Sequence, residues 1–183
     1  MRRRQSLFQA LLRSWRRTNP VTRMIIGAAL VGIIWFMGLT PWRVAGVDLP
    51  WPILLLVAAV GWSRVGLFMR PVFVLIGLSL LYDISSAAPL GSYMIVALSA
   101  YGVQVLAQSA LDMDNGAVLE TAIPFLSMAV GIVVLWILAS ASAGYPMRIL
   151  PFMTAGLATA LAYVLLAPMF NLRARSGRHA VGA

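Results

Sequence analysis

Residues 81–93 read LYDISSAAPLGSY, which puts the carboxylate of Asp83 and the helix breaker Pro89 inside an otherwise apolar run. The rest of the chain makes that placement unusual. Of 183 residues, 61% are hydrophobic and only 10% charged, with a mean hydropathy of +0.90. A soluble domain of this size carries charge on about a quarter of its residues. The chain therefore reads as an integral membrane protein whose core is made by helices packing against one another. Residues 81–93 fall where one of its membrane spans should be finishing.

Working outward, apolar segments run at about 24–42, 50–69, 71–90, 91–111, 121–141 and 149–170. Most reach the roughly 20 residues needed to cross ~30 Å of hydrocarbon. The third does so only by including residues 81–90. The connections PWRVAGVDLPWP, RP, DMDNG and SAGYP are short and rich in Pro, Gly and Asp, too short for a soluble domain. The expected fold is an all-α integral membrane bundle of six transmembrane helices. Its parts are a basic amphipathic cytoplasmic segment at 1–23, the transmembrane domain at 24–170 and a basic cytoplasmic tail at 171–183.

The net charge of +9 does not indicate nucleic acid, because all fourteen basic residues are arginines and seven precede residue 24. Arg2, Arg3, Arg4, Arg13, Arg16 and Arg17 read as membrane-surface anchors on anionic lipid. Leu7, Phe8, Leu11, Leu12 and Trp15 among them have helical spacing, which favours a short interfacial helix over a basic tail that only signals topology. Asn19-Pro20 is expected to stop that pattern. Val44-Ala45-Gly46 resembles a weak signal-peptide cleavage site, but the long lead and an apolar run to Trp42 favour a retained first span. With six crossings and both termini cytoplasmic, twelve arginines lie inside against Arg43 and Arg148 outside. A third segment that failed to cross would give ten against four, so six crossings with both ends inside is the better reading. Cysteine is absent, so there is neither a disulfide framework nor a thiolate metal site.

A helix begun at Pro71, a residue suited to a first helical turn, carries Asp83 about 20 Å along its axis. A carboxylate at mid-bilayer costs on the order of 2.5–3.5 kcal/mol, less towards the interface. Residues 85–91 are not expected to be regular helix, and irregular backbone at that depth survives only where protein covers it or it lines a wet cavity. Two readings stay open: a buried carboxylate tying this stretch to the bundle, or a carboxylate ending a short helix at the outer headgroups. Candidate donors to a buried Asp83 are Tyr93, Tyr101, Gln104 and Arg43. An ion-coupling role is weaker, since a lone acid makes a poor relay.

Other motifs carry less. Asp112-Met113-Asp114-Asn115-Gly116 lacks the spacing of a calcium loop and reads as a turn. The sole histidine, His179, sits in the basic tail, and no Ser–His pair or H-E-x-x-H helix can be assembled. No enzyme, cofactor or metal site is expected. Small residues four apart (Ala28 and Gly32, Ala139 and Ala143, Ala155 and Thr159, Gly156 and Ala160) permit close helix approach. Trp42, Trp51 and Trp62 sit near segment ends and suit an aromatic belt, whereas Trp35 and Trp136 lie deeper, between helices.

The order Pro50-Trp51-Pro52, a span, Arg70-Pro71 and then GLSLLYDISSAAPLG resembles the rod shape-determining protein MreD family over nearly the whole chain. That family shows a glycine-rich third segment, an aspartate, and a small-Pro/Thr-Leu-Gly ending eight residues later. Asp83 to Gly91 keeps the spacing, and Pro89 stands at the Pro/Thr position. The family's usual glycine four residues before the aspartate is Ser79 here, with Gly77 two residues earlier. The resemblance implies a bacterial inner-membrane component of the elongation machinery, or elongasome, supporting peptidoglycan synthesis and cell shape, and the expected role is a non-enzymatic scaffold. Its implied partners are MreC, RodA, the elongation-specific penicillin-binding protein and, indirectly, the MreB filament. It also implies a fold like the substrate-binding subunit of energy-coupling-factor transporters. The rival expectation is accordingly a small-solute-binding subunit of such a transporter.

Overall fold

The computed structural model describes residues 18–39, 43–44, 47–48, 51–63, 69–86, 88–111 and 117–170. Six helices occur among them: α1 (Pro20–Gly38), α2 (Leu54–Trp62), α3 (Arg70–Ser85), α4 (Ser92–Leu111), α5 (Ala117–Ala143) and α6 (Leu150–Phe170). A two-residue ladder between α1 and α2, β1 (Arg43–Val44) and β2 (Val47–Asp48), pairs antiparallel with Arg43 opposite Asp48. Four helices, α1, α4, α5 and α6, are long and apolar enough to cross a membrane. The amino-terminal anchors Arg2, Arg3, Arg4, Arg13, Arg16 and Arg17, the 112–116 turn, and the tail with His179 lie outside the described residues.

Local chemistry sets the boundaries. α1 starts at Pro20, four residues before the expected segment. Asn19 caps it, its side chain accepting from the Val21 N–H at 3.0 Å, with proline in the first turn. Asn19-Pro20 thus opens a helix besides ending the pattern before it. α5 ends where Gly144 takes φ +73°, a left-handed conformation that glycine adopts without a Cβ clash.

α2 sits at the centre. All nine of its residues are buried, and it packs against every other helix. A helix that is apolar all round belongs inside a bundle. At ~1.5 Å per residue α2 is only about 13.5 Å long, less than the 50–69 segment implies. Enclosed by protein, its length is not set by the thickness of the lipid.

Its close approaches use glycines outside the four-apart pairs. A Cβ on Gly61 would meet Cβ of Phe170 at 2.6 Å and the α6 backbone at 3.1 Å, and one on Gly131 would meet Leu56 at 2.5 Å. Gly32, by contrast, has nothing within 4 Å. Trp62, expected in an aromatic belt, is fully buried with its ring 6.1 Å from that of Phe170. The reason is that α2 ends inside the bundle, with Trp62 and Ser63 both buried.

Candidate functional site: a carboxylate latch between α3 and α4

α3 begins with Arg70-Pro71, as the proline suggests, and its last turns divide cleanly between two faces. Leu81 and Ile84 point outward, while Tyr82 and Asp83 are each 1% exposed. The helix is then ended by its own serines. Ser85 Oγ donates to the Leu81 carbonyl at 2.6 Å and Ser86 Oγ to the Tyr82 carbonyl at 2.6 Å, the side-chain competition with backbone bonds that serine offers. The Ala88 N–H folds back to the Asp83 carbonyl at 3.2 Å. Gly91, at φ +91°, turns the chain into α4.

The start of α4 presents N–H groups with no partner inside the helix. Asp83 supplies it. Oδ2 accepts from the Gly91 N–H at 2.8 Å, and Oδ1 accepts from the Tyr93 N–H at 2.9 Å. Both lengths suit charge-assisted bonds, and negative charge is favoured at a helix amino terminus. The carboxylate caps the next helix from the last turn of the preceding one. Its burial is tolerable because each oxygen holds a backbone donor.

This decides between the two readings of Asp83: the headgroup-exposed carboxylate is overturned by its burial. Of the four candidate donors, Tyr93 serves, through its backbone and not its hydroxyl. Tyr101 and Gln104 stand about 12 and 16 Å further along α4. The Arg43 side chain lies outside the described residues.

Aromatic rings screen the latch. Trp35 of α1 stacks on Tyr82 with centroids 3.7 Å apart, and Tyr93 stands at 6.2 Å from Trp35 and 5.3 Å from Tyr82. Trp35 Nε1 donates to Ser85 Oγ at 2.7 Å, so α1 is fastened to the same turn. The Tyr93 hydroxyl meets that of Ser86, and the Tyr82 hydroxyl meets the backbone of Leu55 in α2.

The other candidates divide. Ser79, one turn before Asp83, is fully buried and its Oγ has no hydrogen-bond partner. Gly77 is exposed, and a Cβ there would meet nothing within 4 Å, so it is not a point of close approach. Pro89 is exposed, and its carbonyl accepts from the Ser92 N–H at 3.1 Å.

A second buried polar pair links α4 and α5. Ser127 Oγ lies 2.9 Å from Gln104 Oε1 and 3.0 Å from the Ile123 carbonyl, while Gln104 Nε2 has no partner. One hydroxyl hydrogen cannot serve two acceptors. Turning the amide so that Nε2 donates to Ser127 uses both groups better. Serines 85, 86 and 127 were not singled out by the sequence, because serine after an apolar turn is too common to mark a site. Among the described residues no three His, Cys, Asp or Glu side chains come together. No protein-family profile, curated protein or solved structure matches the chain.

Proposed function

We propose that the chain is a non-enzymatic inner-membrane scaffold of the bacterial elongation complex, supporting lateral peptidoglycan synthesis and rod shape. It contacts MreC, RodA and the elongation-specific penicillin-binding protein through helix faces, and the MreB filament indirectly. One observation carries the reading. The aspartate-to-glycine spacing behind the resemblance to the MreD family is, in this chain, a hydrogen bond: Asp83 Oδ2 to the Gly91 N–H at 2.8 Å. What supports the reading is that this spacing has a structural use in the chain.

In this reading the bundle crosses six times with both termini cytoplasmic. α2 and α3, at about 13.5 and 24 Å, are shorter than the ~30 Å of hydrocarbon. They cross nonetheless because α2 is buried along its whole length and Asp83 takes up N–H groups of the turn after α3, where lipid would leave backbone groups unsatisfied. The connections being short, helix faces are the main binding surface offered to partners.

The test is isolation from a rod-shaped bacterium combined with depletion. Copurification with MreC, and rounding of cells on depletion, are the expected results. Normal rods after complete loss, in a species with no second copy, would overturn the reading. Retention of a vitamin or metal at near one-to-one stoichiometry would favour the solute-binding transport subunit instead. A periplasm-dependent reporter should be silent when fused at Asn115 and active at Gly144; the reverse would remove one crossing.

A further inference from the structure

α4 is the least apolar of the four helices able to span the membrane, yet the bundle encloses it no more than it encloses α1. Where its polar residues stand is therefore informative. Gln104 is buried, but Ser99, Tyr101, Gln108 and Ser109 are half-buried or exposed. Ser99 and Ser109 return their hydrogens to carbonyls of their own helix, Val96 at 2.9 Å and Leu106 at 2.8 Å. Tyr101 has no such recourse. Its ring rests on the core, and its hydroxyl meets no hydrogen-bonding group among the described residues. In the middle of α4, it stands roughly 14 Å from either end of the helix, too deep for its hydroxyl to reach the headgroups. Hydrocarbon offers no partner, and an unmet hydroxyl there is costly.

Beside Tyr101 runs a seam. Ile95, Leu98, Gly102, Val105 and Ser109 alternate at intervals of three and four along the face turned from the core, the spacing by which one helix packs along another. A Cβ on Gly102 would meet nothing within 4 Å, so the middle of the seam is open to a second backbone. α4 carries no charge. Nothing in it selects a charged partner or repels an identical helix. A two-fold axis along the membrane normal sets each residue at the depth of its own copy. A tyrosine hydroxyl both donates and accepts, so two Tyr101 side chains flanking one seam supply what each lacks.

We propose that two copies of the chain pair in the membrane through α4, crossing at Gly102 with Tyr101 beside the crossing. The pairing requires α4 to span the membrane and does not rest on the scaffold reading.

The chain has no cysteine, so a single one reports on its own surroundings. Full-length Gly102→Cys in native membranes should oxidise to a disulfide-linked homodimer, while Leu157→Cys, on the exposed face of α6, should not. Donor- and acceptor-labelled copies of the full chain, diluted in lipid vesicles, give the dissociation constant by energy transfer. Tyr101→Phe should raise it about threefold or more, and Gly102→Leu, which blocks the crossing, about tenfold or more. Neither change removes a contact within one copy, so the thermal unfolding profile should stay in place. If Gly102→Leu fails to fold, Tyr101→Phe and the disulfide decide. Energy transfer no greater than chance, pairing undiminished in the folded variants, or a dimer trapped by Leu157→Cys and not by Gly102→Cys would each overturn the proposal. So would a photocrosslinker on the Gly102→Cys variant that captures only lipid or only a different protein.

Discussion

Two helices of this protein, α4 and α2, satisfy the N–H groups at their starts in different ways. α4 is capped by a charge from close by, Asp83, eight and ten residues before the groups it binds. α2 is held by neutral groups, local carbonyls for the Leu54 and Leu56 N–H groups at 3.1 and 3.0 Å and distant side chains beside them. The Ile53 N–H donates to Thr159 Oγ1 at 2.9 Å, across 106 residues, and the Tyr82 hydroxyl meets the Leu55 backbone. Leading into α2, the Trp51 indole donates to the Ile34 carbonyl of α1 at 3.1 Å. A helix start can thus be held by one strong local group or by several weak ones. The first fixes a turn; the second fixes the position of a whole helix among its neighbours.

The difference predicts unequal costs, and the largest is at Asp83. Asp83→Ala leaves two half-buried N–H groups without acceptors, and hydrogen bonds to charged groups are worth ~1.5–3 kcal/mol each. A loss of about 3–5 kcal/mol is expected in equilibrium unfolding of the purified protein in bicelles. Asp83→Asn should fall between, since its one carbonyl oxygen can serve one N–H while its amide opposes the other. An alanine variant as stable as the parent would mean that α4 does not depend on this carboxylate, and the contrast with α2 would collapse.

At the other helix start the same logic gives a smaller number. Thr159→Val keeps the shape and removes the acceptor of the Ile53 N–H, at a cost of about 1–2 kcal/mol. Thr159→Ser keeps the acceptor and should cost only its buried methyl, about 0.8 kcal/mol, since Thr159 is fully buried. Because Tyr82 acts at the same start, Tyr82→Phe combined with Thr159→Val should deviate from additivity in the double-mutant cycle, as groups sharing a network do. Strict additivity would show that the two caps act independently.

The same contrast governs what could be read from the sequence. The six helical segments and the break at residues 85–91 were legible, because apolar run length and Pro-Gly chemistry are local. A buried role for Asp83 was one of two readings the sequence left open, since a carboxylate in an apolar run demands either partners or water. That those partners are backbone groups was not legible, because N–H donors exist at every residue and no side-chain type marks them. The second irregular stretch, Trp51–Ile53 leading into α2, was missed for a related reason. Its caps, Thr159 and Tyr82, are ordinary residues brought to it by the packing of other helices. Trp62 read as an interfacial residue because nothing local says that α2 is enclosed by the other five helices. Gly61 and Gly131 were passed over in favour of regularly spaced pairs, although close contact is decided by what stands opposite.

Ser79 carries the smallest expected effect and sharpens the comparison most finely. It lies one turn before Asp83 on the same buried face, yet its hydroxyl has no partner. If the latch is complete in its two backbone bonds, that hydroxyl is a buried cost and Ser79→Ala should stabilise by up to about 1 kcal/mol. Ser79→Gly removes the same hydroxyl but loosens the helix by ~0.5–1 kcal/mol relative to alanine, so it should give back much of the gain. A destabilised alanine variant would reverse the account. It would mean that a water bridges Ser79 to neighbouring polar groups, and that the carboxylate belongs to a hydrated network. The start of α4 would then resemble that of α2, held by several weak groups, with Asp83 only the strongest among them.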